Sequence, residues 1–160
     1  MPFSPTRLVA GCGAVWAADY EHPLIVRGNV VLVREVIANL IDNALKYIPP
    51  FRQDRARVTL SVTEYIDASG RRFGELAVED NGPGVPHDQQ PDLFKRFFRG
   101  DGQTVEGGAG LGLAIVHDIM VLHGGSVHYE DAPESGARFV VRMPLKPRGP
   151  GSVPGATPTL

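Results

Sequence analysis

Only one cysteine, Cys12, occurs in the 160 residues, which excludes an internal disulfide and fits a reducing compartment. Basic excess is missing too. Lys and Arg number 16 against 18 Asp and Glu, for a net charge of −2, so nothing in the bulk charge calls for nucleic acid or an anionic membrane surface as a partner. No run approaches the roughly 18 apolar residues of a membrane span. "LVAGC", Leu8 to Cys12, has the outline of a lipoprotein cleavage box. Pro5 and Arg7 stand where a signal peptide needs an apolar stretch of about 7 to 15 residues, which argues against that reading. The chain therefore reads as soluble, the soluble part of a longer membrane protein included. With 42% hydrophobic and 21% charged residues it has the composition and length of one globular domain with a proper core.

Hydrophobic period divides the chain. Residues 1 to 20 show no clear period and read as an N-terminal remnant or linker, and residues 146 to 160, rich in Pro, Gly, Ser and Thr, read as a disordered tail. Between them, at 21–145, lies the ordered domain. Val33, Val36, Ile37, Leu40, Ile41, Ala44, Leu45 and Ile48 recur at helical spacing until Pro49-Pro50 stops them, which predicts a helix over 31–48. Arg57 to Ile66 and Gly74 to Asp80 alternate as two strands around the turn "DASGRR". "PDLFKRFF" (91–98) predicts a short helix, 100–110 a glycine-laden loop, and 111–123 a second long helix ended by Gly124-Gly125. Strands at about 126–130 and 137–143 close the series. This order predicts an α+β fold, a two-layer sandwich with helices on one face of a mostly antiparallel sheet.

Three motifs carry chemistry. In "LAVEDNGPGVP" (76–86) the strand phase puts Asp80 with Leu76 and Val78 on the core side. A carboxylate facing inward costs several kcal/mol unless paired, and Gly82 and Gly84 allow a ligand to approach the backbone closely. On the first helix Glu35, Asn39, Asn43 and Lys46 share one stripe, with Tyr47 beside it. Asn is a poor helix former, so two amides and an ammonium here suit a hard cation and a phosphate, an ordinary wet face being the plainer alternative. "GGAGLGLAIV" (107–116) crowds glycines into a helix start, where free N–H groups and the helix dipole favour an anion; a flexible loop capped onto a helix is the plainer alternative. It is neither G-x-x-x-x-G-K-[ST] nor the G-x-G-x-x-G of dinucleotide folds.

"NLIDNALKY" (39–47), "EDNGPGVP" (79–86), "LFKRFFRG" (93–100) and "GGAGLGL" (107–113) together resemble, in order and spacing, the N, G1, F and G2 boxes of the ATP-binding catalytic domain of sensor histidine kinases. The resemblance runs from about Gly28 to Leu145 and includes "HGGSVHYEDAPESGARFVVRMPL". It implies the Bergerat-type ATP-binding fold, shared with gyrase-type topoisomerases and heat-shock chaperones. By the same resemblance Asp80 would accept from the adenine amino group, with Gly82 and Gly84 passing close to the base and Tyr47 packing against it. Asn43 would bind Mg²⁺ with Asn39 in support. Lys46 would touch phosphate, and Arg99 would reach the γ-phosphate, the two forming the catalytic set. Gly108, Gly110, Leu111 and Gly112 would form the lid and phosphate cradle.

Phe94 and Phe97 read better as anchors tying the lid to the core, His123 as a helix cap or packing group, and Glu35 as an exposed helix residue rather than the base for an attacking water that it could be in related ATPases. Such kinases phosphorylate a histidine on a separate dimerisation segment, and no such segment is recognisable here: "HDQQP" at His87 has its proline one place early, and His117-Asp118 has none. The resemblance therefore implies ATP and Mg²⁺ as cofactors, that phosphoacceptor segment and a response regulator as partners, no nucleic acid, no direct membrane contact, and a cytoplasmic location, the cytoplasmic part of an inner-membrane sensor included. An anti-sigma-type Ser/Thr kinase and a non-catalytic ATP-binding regulator are the alternatives.

Overall fold

The structure, a computed structural model, describes residues 24–49, 55–98 and 110–146, and the backbone of 6–9 and 15–20. Helix α1 (Val30–Tyr47) starts where Asn29 caps it, its side-chain oxygen accepting from the Val31 and Leu32 N–H groups at 2.9 and 3.3 Å. Its buried stripe is Val36, Leu40 and Ala44, the spacing that turns one face inward. Strands β3 (Arg57–Ile66) and β4 (Arg72–Asp80) pair antiparallel from Val58↔Asp80 to Ile66↔Arg72. Helix α2 (Gly112–Leu122) packs beside α1, and β5 (Ser126–Asp131) and β6 (Ala137–Pro144) form the last hairpin.

Two further strands, β1 (Thr6–Val9) and β2 (Val15–Tyr20), add to the sheet. Among the described residues its order is β1-β2-β3-β4-β6-β5, antiparallel throughout except where β2 runs parallel to β3. The α+β expectation of helices on one face of a mostly antiparallel sheet therefore holds. Residues 1–20, set apart in the sequence as remnant or linker, contribute these two strands, so the sheet begins before residue 21. They are short, and the pairing of β2 is with a strand some forty positions on, which local period does not report. At the other end Leu145 bridges Val26, and the Lys146 N–H donates to the Ile25 carbonyl at 3.0 Å.

The core lies between the helices and one face of the sheet. Leu40 and Val36 from α1, Val116 and Met120 from α2, and Val58, Val78 and Phe139 from the sheet are all within 1% of full burial. The reverse face is polar. Arg138 reaches Glu79 and Glu130, both at 3.2 Å, and Arg142 reaches Glu75 at 2.8 Å while lying 3.5 Å over the Tyr65 ring. These long side chains cover Ala77 and Val140, which sit between them and are buried.

The helix expected over 91–98 is instead a single 3-10 turn, Gln90–Asp92, followed by turns. Pro91 suits the first turn of a helix, but the chain must then deliver two different things. Phe94 goes to the core, edge-on to Phe139 at 6.3 Å. Phe97 adopts φ 63° and gives its backbone N–H to the Gly110 carbonyl at 3.0 Å. A continuous helix cannot supply that left-handed residue. Phe94 thus packs on the core, as expected, whereas Phe97 is 71% exposed and meets Gly110 through its backbone.

Candidate functional site

Asp80 is the last residue of β4 and is the buried charged residue of the described structure, at 5% exposure. The strand phase that predicted an inward carboxylate is correct. Its Oδ1 accepts from the Gly82 N–H at 2.8 Å and from the Ala137 N–H at 3.2 Å. Its Oδ2 has no hydrogen-bond partner among the described residues. Burial pushes the carboxyl up from its ordinary value, the Gly82 and Ala137 N–H groups pull it back, and Glu79 adds a further push upward. That oxygen keeps acceptor capacity that water or a ligand can fill.

The loop after Asp80 is held by neighbours on all sides. Asn81 turns outward, its Oδ1 accepting from the Arg57 N–H and its Nδ2 donating to the Arg55 carbonyl, both at 2.8 Å. It is a backbone brace between the loop and the start of β3. A Cβ on Gly82 would lie 2.9 Å from Asp80 Oδ1 and 3.4 Å from the Tyr47 carbonyl, so the end of α1 stands beside the loop. Gly84, at φ +74°, faces the Gly136 carbonyl. The closeness these two glycines permit is thus first of all to protein. Gly136 is the tightest: at φ +116° its Cβ would overlap the Asp80 carbonyl oxygen outright. The turn "DAPESG" marks that glycine as a turn residue, but its contact with Asp80 depends on a strand 56 positions away.

The α1 stripe faces the start of α2. Asn39 donates from Nδ2 to the Glu35 carbonyl at 2.8 Å and to Glu35 Oε1 at 3.1 Å, which fixes the amide and turns its oxygen outward. A Cβ on Gly112 would come within 3.0 Å of that oxygen, so glycine there lets α2 begin against the stripe. Glu35, read in the sequence by preference as an exposed helix residue, orients Asn39. Asn43 is half-buried and its side chain makes no hydrogen bond among the described residues; Lys46 is exposed in the last turn and Tyr47 is 38% exposed. Leu111 precedes α2 without a side-chain cap, so the first-turn N–H groups of α2 have no capping side chain. Gly110 joins the approach to α2 at φ +69°.

Asp80 and Gly82 thereby lie beside the Tyr47 carbonyl at the end of α1, and Gly112 beside Asn39 on the same helix, with Asn43 and Lys46 on the same face as Asn39. Arg99 and Gly108 lie outside the described residues. His123 is a cap, as expected: its Nδ1 meets the Ile119 carbonyl at 2.7 Å and its Nε2 the Asn29 N–H at 3.1 Å. A carbonyl only accepts and an N–H only donates, so the proton is on Nδ1. The ring joins the end of α2 to the start of α1. His87 is exposed in a turn. No helix of the described residues is long and apolar enough to cross a membrane, and among them no three His, Cys, Asp or Glu side chains cluster as a metal site.

Residues 28–147 match the family described as histidine kinase-, DNA gyrase B- and HSP90-like ATPase. The chain belongs to that family. Within it, the chain is similar to the signal transduction histidine-protein kinase/phosphatase MprB of Mycobacterium sp. (strain KMS), with 36% identity over 130 residues, 79% of this chain and 24% of that protein. A solved structure of the mycobacterial sensor histidine kinase MprB superimposes with a TM-score of 0.68 at 30% identity, covering 85% of each chain. Full-length ShkA in complex with AMPPNP gives 0.63 at 28% identity, covering 82% of this chain and 25% of that one. The chain thus spans about a quarter of these full-length relatives, and the part it matches is their ATPase domain.

Proposed function

We propose that this chain is the ATP-binding catalytic module of a two-component sensor histidine kinase. The observation that carries the reading is Asp80: a buried carboxylate with one oxygen satisfied by the chain and the other left to a ligand donor. The adenine amino group is such a donor, and the similarity to the sensor histidine kinase MprB and to ShkA, solved with AMPPNP, supports it. Tyr47 packs against the base, and Gly82 and Gly84 carry the loop past it. Asn43, whose amide has no partner among the described residues, would hold Mg²⁺ with Asn39 beside it; oxygen ligands and phosphate suit that ion. Bound Mg²⁺ supplies charge neutralisation across the phosphates. Lys46 and Arg99 touch the phosphates, and Gly108, Gly110, Leu111 and Gly112 form the lid that delivers the uncapped N–H groups of α2.

The reaction is transfer of the γ-phosphoryl group to a histidine nitrogen of a separate dimerisation segment: the bond to the bridging oxygen of ADP breaks as the P–N bond forms in line. This chain contributes positioning and charge. The phosphohistidine then serves a response regulator, and the module works in the cytoplasm. Labelled ATP with a supplied phosphoacceptor fragment tests the reading: acid-labile, alkali-stable label on the fragment is expected. Acid-stable label would move the chain to Ser/Thr kinases, and binding without transfer to nucleotide-binding regulators. For the metal, Asn43→Ala removes the Mg²⁺ dependence of ATP affinity; surviving dependence would take the ion away from Asn43.

A further inference from the structure

The loop after Asp80 is gripped by a side-chain chain that none of the four boxes contains. Tyr129 of β5 accepts the Val85 N–H at its hydroxyl at 3.0 Å and donates to Asp131 Oδ1 at 2.8 Å. Gln90, just past the loop, donates from Nε2 to the Val85 carbonyl at 3.0 Å and lies 3.4 Å from the same Asp131 oxygen. Both backbone groups of Val85 are therefore held, and one carboxylate orients both holders. Ser135 adds a longer bond to the Gly82 carbonyl, at 3.4 Å. The Tyr129 ring is itself fixed, tilted against Phe139 with centroids 5.5 Å apart.

Direction matters in this chain. The single phenolic hydrogen goes to Asp131, so the lone pair is what remains for Val85, and a carboxylate at the far end strengthens the phenol as an acceptor. Burial, followed by the bond to Asp131, pushes the Tyr129 hydroxyl up to about 12, so it keeps its proton at any physiological pH. Between Asp80 and Val85 stand two glycines, the residues with most backbone freedom to lose. Asp80 and Asn81 hold the near end of that stretch, and the Val85 bonds hold its far end.

We propose that Tyr129, oriented by Asp131 and assisted by Gln90, is a positioning residue that presets the loop after Asp80 and so sets selectivity for the adenine base. The proposal rests on Asp80 as the adenine acceptor. Its energetic content is preorganisation: an ordered loop has less freedom to give up when the base docks.

The test uses the whole chain, its Tyr129→Phe, Asp131→Asn and Asp131→Ala variants, and two readouts. In ligand-free protein, Tyr129→Phe keeps the ring on Phe139 but removes the acceptor, so exchange of the Val85 amide accelerates by about tenfold, the worth of one net hydrogen bond; unchanged exchange overturns the clamp. In calorimetric titrations, ATP affinity falls by roughly fivefold to tenfold in Tyr129→Phe and Asp131→Ala, GTP affinity is unmoved, and Asp131→Asn, which retains an oxygen for Tyr129, stays within about twofold of the parent. Equal loss of ATP and GTP binding would mean general damage and overturn the proposal. A parent chain with no preference for ATP over GTP would remove Asp80 as base reader, and selectivity with it, while the Val85 exchange still reports whether the clamp exists.

Discussion

Replacing Asp80 by Asn should weaken ATP binding and strengthen the fold at the same time, because the two Asp80 oxygens serve different masters. Oδ1 holds the Gly82 and Ala137 N–H groups at 2.8 and 3.2 Å, and an amide oxygen can keep both. Oδ2 has no partner among the described residues, and in the variant it becomes an N–H₂ group, a donor facing the donor on adenine. A hydrogen bond to a charged group contributes about 1.5–3 kcal/mol, so its loss predicts affinity roughly 10- to 150-fold lower. Stability moves the other way. Burial raises the folded-state pKa of this carboxyl above its ordinary 3.8, so the folded chain holds the proton to higher pH than the unfolded chain does. Ionisation then costs stability; the cost is absent below the unfolded value, grows as pH rises between the unfolded and folded values, and is full above them. Asn carries no such cost. The stability difference, Asn minus Asp, should therefore rise with pH through that window and level off. Calorimetric titration and thermal unfolding at several pH values read both effects. Unchanged ATP affinity would refute Asp80 as base reader, and a strongly destabilised Asn variant would refute the separation of the two oxygens.

Glycine positions give a matched pair. Gly136→Ala drives a Cβ into the Asp80 carbonyl at φ +116° and should cost roughly 2–6 kcal/mol, strain and overpacking together. Gly70→Ala at φ +80°, with nothing within 4 Å, should cost only about 1–2 kcal/mol; denaturant midpoints that place the two together would contradict the packing argument. His123→Ala removes the link from the Ile119 carbonyl to the Asn29 N–H and should cost about 1–3 kcal/mol by urea unfolding, with ATP affinity changed less than about threefold. A larger loss of affinity would mean that the ring shapes the nucleotide site itself.

Much of this was legible because local period and local packing agree. Val36, Leu40 and Ala44 repeat at helical spacing and are buried on α1, and Leu76, Val78 and Asp80 share a strand phase that puts the carboxylate inside. What was not legible depends on partners far along the chain. The strand Val15–Tyr20 pairs in parallel with β3, Gly136 is required by Asp80, and Tyr129 acts on Val85, 44 positions earlier. The turns after Gln90–Asp92 read as a helix in the sequence, whereas the backbone of Phe97 answers to Gly110, a partner 13 positions on. Glu35 was legible as exposed but not as the residue that orients Asn39, since a hydrogen bond one helical turn away leaves no mark on hydrophobic period.

The most direct test of the account is an ATP titration of the isotope-labelled chain followed at two amides, Gly82 and Ala137, which both donate to Asp80. Saturable shifts at both with ATP, and none with GTP, are predicted, because a donor arriving at Oδ2 changes the charge on the oxygen they share. Saturable ATP binding that moves other amides and leaves these two in place would contradict the central claim that Asp80 reads the base.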